Sequence, residues 1–81
     1  MIELYELRQL AAFAEAGTLS EAAEVLHLSQ PALSRNMKKL EEDLGISLFE
    51  RSKNKLELNK NGEYALELAR KLLDDADSFI T

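Results

Sequence analysis

The stretch at residues 17–50, GTLSEAAEVLHLSQPALSRNMKKLEEDLGISLFE, limits the fold of this chain more than any other, because it carries its own helix stop and start signals. Gly17 suits the left-handed position that closes a preceding helix. Thr18 followed three residues later by Glu21 is the pattern of a capping box, so a helix begins at about Leu19. Ala22, Ala23 and Leu26 form its inner face, and the paired alanines let a second helix approach closely. After His27 and Leu28, Ser29 is placed to cap that second helix. Pro31 falls in its first turn, where a missing N–H costs nothing. The connection between the two helices must be short.

At about 100° per residue from Pro31, the side chains of Leu33, Met37, Leu40 and Leu44 fall on one narrow arc, which must be buried. The opposite arc holds Pro31, Ser34, Arg35, Lys38, Lys39 and Glu42. Hydroxyl and cationic groups thus occupy the N-terminal two turns, and acid appears only toward the far end. Free backbone N–H groups and the positive end of the macrodipole favour phosphate at that same N-terminus. Together they imply a helix that enters the major groove of duplex DNA with its N-terminal half leading. Glu41, Glu42 and Asp43 are consecutive, so they point in different directions and cannot converge on a metal; they read as a solvated face.

The remaining chain reads as support. Leu4, Leu7, Leu10, Ala11 and Ala14 follow helical spacing, giving a first helix over about residues 4–16. Gly45 can close the second helix of the pair. Ser47 to Arg51 and Lys55 to Leu58 then read as two short strands around SKN, a hairpin anchored by Leu48, Phe49, Leu56 and Leu58. Arg51, Lys53 and Lys55 put three cations on or beside it, which suits phosphate or minor-groove contact. Asn59 is placed to cap a final helix over about residues 60–79, with Gly62 in its first turn, where close packing is possible. That helix carries two apolar stripes. Ala65, Ala69, Leu72, Ala76 and Phe79 alternate steps of four and three, while Leu66, Leu73 and Ile80 recur every seven. One stripe can pack on its own domain while the other meets a second subunit, and the expectation is a homodimer.

Composition alone points away from nucleic acid: 15 acidic against 10 basic residues give a net charge of -5 and a pI near 4.8. The distribution reverses the inference. Residues 29–60 hold seven of the bases against five acids, whereas the segments on either side are net negative. Acidic flanks repel DNA elsewhere and orient the approach. With no cysteine there is neither a disulfide framework nor a thiolate metal site, which suits a reducing cytoplasm. No apolar run approaches the length of a membrane span. His27 is the only histidine and lacks a companion carboxylate or thiol pattern, so it reads as structural; the serines show no partnered base. No catalytic residue, cofactor or metal is expected, and at 81 residues the fold should gain from a partner subunit.

The segment GTLSEAAEVLHLSQPALSRNMKKLEEDLGISLFER, with SQPALSR, LEEDLG and LFER at matching spacing, resembles the N-terminal DNA-binding domain of LysR-type bacterial transcriptional regulators. The resemblance extends over essentially the whole chain. It implies a mainly α fold: a winged helix-turn-helix over residues 1–59 with a small two-stranded β-wing, then a long linker and dimerisation helix over 60–81. It also implies sequence-specific binding of double-stranded DNA by a cytoplasmic homodimer, or higher homo-oligomer, at an inverted-repeat operator. By the same resemblance Gln30, Pro31, Ser34 and Arg35 are the expected base or groove contacts, with Ser29, Lys38, Arg51 and Lys53 at phosphate or minor groove. The expected dimer interface is Ala65, Leu66, Ala69, Leu72, Leu73, Ala76, Phe79 and Ile80. Three positions depart from the family pattern: Asn36 in the second helix, Glu57 near the wing, and a hairpin tip, SKNK, without glycine. Family members continue into a ligand-sensing domain of two α/β subdomains, so this chain is expected to be part of a longer protein, with any small-molecule effector bound elsewhere. The competing expectation is an acidic helical module that pairs with a protein through its last helix and does not bind DNA.

Overall fold

A computed structural model describes residues 2–52 and 55–80. The chain runs α1 (Leu4–Ala16), α2 (Leu19–Leu26), α3 (Gln30–Leu44), β1 (Phe49–Ser52), β2 (Lys55–Leu58) and α4 (Lys60–Ile80). It is a mainly α winged helix-turn-helix with a long last helix, as the sequence implied.

Local chemistry explains most of the boundaries. The Glu3 amide donates to Glu6 Oε1 at 2.8 Å and starts α1. Gly17 adopts φ 89° and its N–H reaches the Phe13 carbonyl at 2.9 Å, which ends α1. Thr18 Oγ1 accepts from the Glu21 amide at 3.1 Å, and Ser29 Oγ from the Ala32 amide at 3.1 Å, capping α2 and α3. His27 closes α2 in the left-handed region at φ 59°, with its amide and that of Leu28 turned back onto the carbonyls of Glu24 and Ala23. Histidine tolerates this conformation better than most residues. Its role is therefore a backbone one, in the turn of the helix pair.

One core holds these elements together: Leu10 and Phe13 of α1, Ala22 and Ala23 of α2, Leu33, Met37 and Leu40 of α3, Leu48 and Phe49 before and in the wing, and Ala69 of α4. The Phe13 and Phe49 rings meet edge to face, 5.6 Å apart. Leu44 departs from expectation. It lies in the last turn of α3, just before the Gly45 cap, and is 38% exposed.

The wing is a two-stranded antiparallel sheet with Phe49 opposite Leu58 and Ser52 opposite Lys55. Its first strand begins two residues later than the pattern of apolar residues suggested. Leu48 and Phe49 donate their amides to Glu41 Oε2 at 2.7 and 3.2 Å, and Ser47 Oγ donates to the same oxygen at 3.3 Å. Glu41 is thus not a solvated acid; it fastens the entry of the wing to α3. On the return, the Asn59 amide donates to the Leu48 carbonyl at 2.9 Å, and Asn59 Oδ1 accepts from the Gly62 amide at 2.8 Å to cap α4. A methyl group at Gly62 would overlap the Leu48 carbonyl oxygen and lie 2.8 Å from Leu58 Cδ2, so glycine is what allows α4 to leave so close to the wing. Further along, Arg8 Nη2 of α1 donates to Asp77 Oδ1 at 3.1 Å, beside the C-terminal end of α4.

Candidate nucleic-acid interface

The N-terminal half of α3 projects the groups that the sequence singled out. Gln30, Pro31, Arg35 and Lys38 are exposed; Ser34 is half-buried, and Ser29 is exposed with its hydroxyl engaged as the cap. The arc beneath them, Leu33, Met37 and Leu40, is sealed, so the helix cannot rotate to present another face.

Gln30 borders an open cleft of about 510 Å³ shared with Gly17, Thr18, Leu19 and Ser20 at the start of α2 and with Arg51, Ser52, Lys55 and Leu56 of the wing. The fold therefore brings the first residue of α3, the amino end of α2 and the wing cations to one concave surface. Arg35 and Lys38 lie outside that cleft; Lys38 instead borders a shallow hollow with Glu41, Glu42, Gly45, Ile46 and Ser47. Lys55, placed by the sequence among the hairpin cations, borders the cleft; Thr18 and Ser20 join it although the sequence did not mark them as contacts. Their signal was the capping pattern, which marks where α2 offers its free amides. Lys53 lies outside the described residues.

Charge pairing sorts the cations. Lys39 Nζ binds Asp43 Oδ2 at 3.0 Å, one turn along α3, and lies 4.0 Å from Glu6 Oε2 of α1. The hydrogen bond to Asp43, before any longer-range attraction, holds the Lys39 ammonium above its ordinary pKa. The same bond holds the Asp43 carboxyl below its own. Lys39 is thereby occupied, whereas Arg35, Lys38, Arg51 and Lys55 form no ion pair among the described residues. Those four unpaired cations stand on the outer side of α3 and on the wing.

The residues expected at a subunit interface do not form one surface. Ala69 and Leu73 are buried by the chain itself, Ala65 and Leu66 are partly buried against the core, and Ala76 is half-buried. Leu72, Phe79 and Ile80 are exposed, Phe79 at 92%. The exposed apolar face of α4 also includes Tyr64 and Leu68, which the sequence reading left out. Among the described residues there is no cluster of histidine, cysteine or carboxylate side chains fit for a metal, and no helix long and apolar enough to cross a membrane.

A helix pair with a sealed inner arc, a polar and cationic outer arc and a fastened hairpin beside it defines a winged helix-turn-helix protein. The chain belongs to the bacterial regulatory helix-turn-helix proteins of the lysR family, whose model matches residues 4–63. It is 45% identical over 73 residues to the HTH-type transcriptional regulator TcbR of Pseudomonas sp. (strain P51), covering 90% of this chain and 25% of TcbR. Over 74 residues it is 46% identical to the SDS degradation transcriptional activation protein of Pseudomonas sp. (strain ATCC 19151), covering 91% and 24%. The chain thus spans about a quarter of the length of these relatives, which are transcriptional regulators and not enzymes. Among solved structures, it is similar to the CbnR_DBD-DNA complex (TM-score 0.89, 44% identity, 95% of this chain and 88% of that one). The BenM_DBD/catB site 1 DNA complex is also similar (TM-score 0.91, 37% identity, 98% and 85%).

Proposed function

We propose that this chain is the DNA-binding part of a bacterial transcriptional regulator, and that it binds double-stranded DNA as a homodimer. The N-terminal half of α3 enters the major groove, and the wing lies on backbone or minor groove. The observation that carries this reading is the placement of Arg35, Lys38, Arg51 and Lys55, unpaired among the described residues, around a helix N-terminus whose inner arc is sealed. The CbnR and BenM structures solved with DNA support it. Within the reading, Gln30, Pro31, Ser34 and Arg35 face bases, and Ser29, Lys38, Arg51 and Lys53 face phosphate or minor groove. Two α3 helices related by a twofold axis would read an inverted repeat. Residues 1–59 form the DNA-binding unit and 60–81 the linker and dimerisation helix. The compartment is the cytoplasm, and any small-molecule effector acts through sequence beyond this chain.

Selection of bound sequences from a random duplex pool tests the proposal, with Arg35→Ala in parallel. Enrichment of an inverted repeat, with preference at one position relaxed by Arg35→Ala at a cost of about 1–3 kcal/mol, is the expected result. Equal losses on selected and random DNA would remove the base-reading role of Arg35. Salt separates this reading from a protein-interaction module. Contact with about six to ten phosphates lowers affinity by roughly three to five orders of magnitude between 50 and 200 mM salt. An apolar α4 interface would barely respond.

A further inference from the structure

Resting on the homodimer reading, we propose that Lys71 and Asp75 select the partner and orientation of α4. Asp75 of one subunit faces Lys71 of the partner subunit across an antiparallel helix pair, and the contact occurs twice by symmetry. The occupant of the exposed α4 face is a second copy of this chain.

A seam runs along α4. Ala65, Leu68, Leu72, Asp75 and Phe79 recur at steps of three, four, three and four, the spacing by which one helix packs along another. Leu68 is 43% exposed, Leu72 54% and Phe79 92%, so beyond Ala65, which packs against the core, this face has no cover among the described residues. Asp75 is the one charged residue on it. Once the seam is covered, a carboxylate there must meet a cation or stay desolvated without a partner.

Only one cation on α4 is placed to answer it. At about 100° per residue, Lys71 lies roughly 40° around the helix from Asp75 and one turn toward the N-terminus, on the edge of the seam. Arg70 projects to the far side of the helix, and Lys60 lies four turns away. Lys71 and Asp75 are both exposed, and neither forms an ion pair with the other or with any other described residue. Two parallel copies in register would set each lysine beside its symmetry mate and each aspartate beside its own. Antiparallel copies related about residue 73 set Lys71 against Asp75 at both ends of a short central layer. A single polar position in an apolar seam fixes register and partner in this way. A related chain with a different charge at either position would be refused.

Charge reversal tests this on the whole chain by sedimentation equilibrium. Both side chains are exposed, so circular dichroism of each variant should match the original chain. Lys71→Asp leaves two acids on each copy, and Asp75→Lys leaves two cations. Each variant alone should self-associate at least about tenfold more weakly, a difference of 1.4 kcal/mol. An equimolar mixture of the two should recover the original affinity as a heterodimer, and the chain carrying both changes should recover it alone. Single variants that associate like the original, or a mixture no tighter than its components, would overturn the proposal and leave the homodimer standing. An original chain that stays monomeric at millimolar concentration would overturn both.

Discussion

Replacing Glu41 should loosen the wing from the helix pair, and the size of the effect follows from three bonds. Glu41 Oε2 accepts from the Leu48 amide at 2.7 Å, the Phe49 amide at 3.2 Å and Ser47 Oγ at 3.3 Å. Leu48 is fully buried and Phe49 nearly so, which leaves water little access to either amide. A hydrogen bond to a charged group contributes about 1.5–3 kcal/mol, and a buried donor left without an acceptor costs about 1–3 kcal/mol. The short Leu48 bond counts in full; the Phe49 bond shares its acceptor and counts in part. Glu41→Ala should therefore lower unfolding free energy by about 2–4 kcal/mol, a large share of what a domain this small possesses. Glu41→Gln keeps an acceptor without the charge and should lose about 1 kcal/mol. Urea unfolding followed by circular dichroism gives both values, and equal m-values would show that the loss lies in the native state. The DNA readout is sharper. Removing an acid from α3 should raise affinity if electrostatics alone decided it, whereas release of Arg51 and Lys55 from their positions should lower it. Glu41→Ala within about 0.5 kcal/mol of the original chain, or tighter DNA binding by that variant, would refute the reasoning.

Gly62→Ala should cost about 1–3 kcal/mol, read as a lower urea midpoint, because its methyl meets the Leu48 carbonyl and Leu58. His27→Gly should be tolerated at its left-handed φ, while His27→Val should lose about 1–2 kcal/mol in the same assay. Lys39→Ala should weaken DNA binding less than Lys38→Ala does, since Asp43 already neutralises Lys39; equal losses in a binding titration would contradict the pairing. That pair also sets a pH dependence. The lowered Asp43 pKa contributes stability above its ordinary value of 3.8, and this is lost as pH falls through the depressed value. The raised Lys39 pKa contributes below 10.5, and this is lost as pH rises through the elevated one. Thermal melts should therefore show no contribution of the pair to pH dependence between about pH 5 and 9, with Asp43→Asn differing from the original chain equally throughout that window.

What the sequence reveals here depends on how far each interaction reaches along the chain. Helix ends are legible because a cap and its amide lie within about four residues: Gly17, Thr18, Ser29, Gly45 and Asn59 all act where the sequence placed them. Glu41 was not legible. Its partners are mainly backbone amides seven and eight residues away, which carry no side-chain signature, and its exposed-looking position among three acids resembled a solvated face. The last helix shows the same limit. Periodicity finds two apolar stripes, but which one turns inward depends on where α1 docks, and that contact joins Arg8 to Asp77 across 69 positions. Ala69 and Leu73 consequently face inward, and Tyr64 and Leu68 outward.

An anionic chain presents a cationic surface here through contacts that the fold makes. Long-range attraction depends on which charges are left unpaired and where they point, not on their sum. Arg8 and Lys39 are each occupied by a carboxylate, one from α4 and one from α3 itself, with Glu6 of α1 behind Lys39. The pairing withdraws Lys39 from the outer arc of α3 and leaves Arg35 and Lys38 there, with Arg51 and Lys55 on the wing, outside any ion pair among the described residues. Sequence spacing could mark Asp43 as a partner one turn from Lys39, but not Glu6, 33 residues earlier, which reaches it only because α1 packs against α3. The folded core thus decides which of the ten cations face a ligand, and the surplus of acid lies largely outside the segment that carries them.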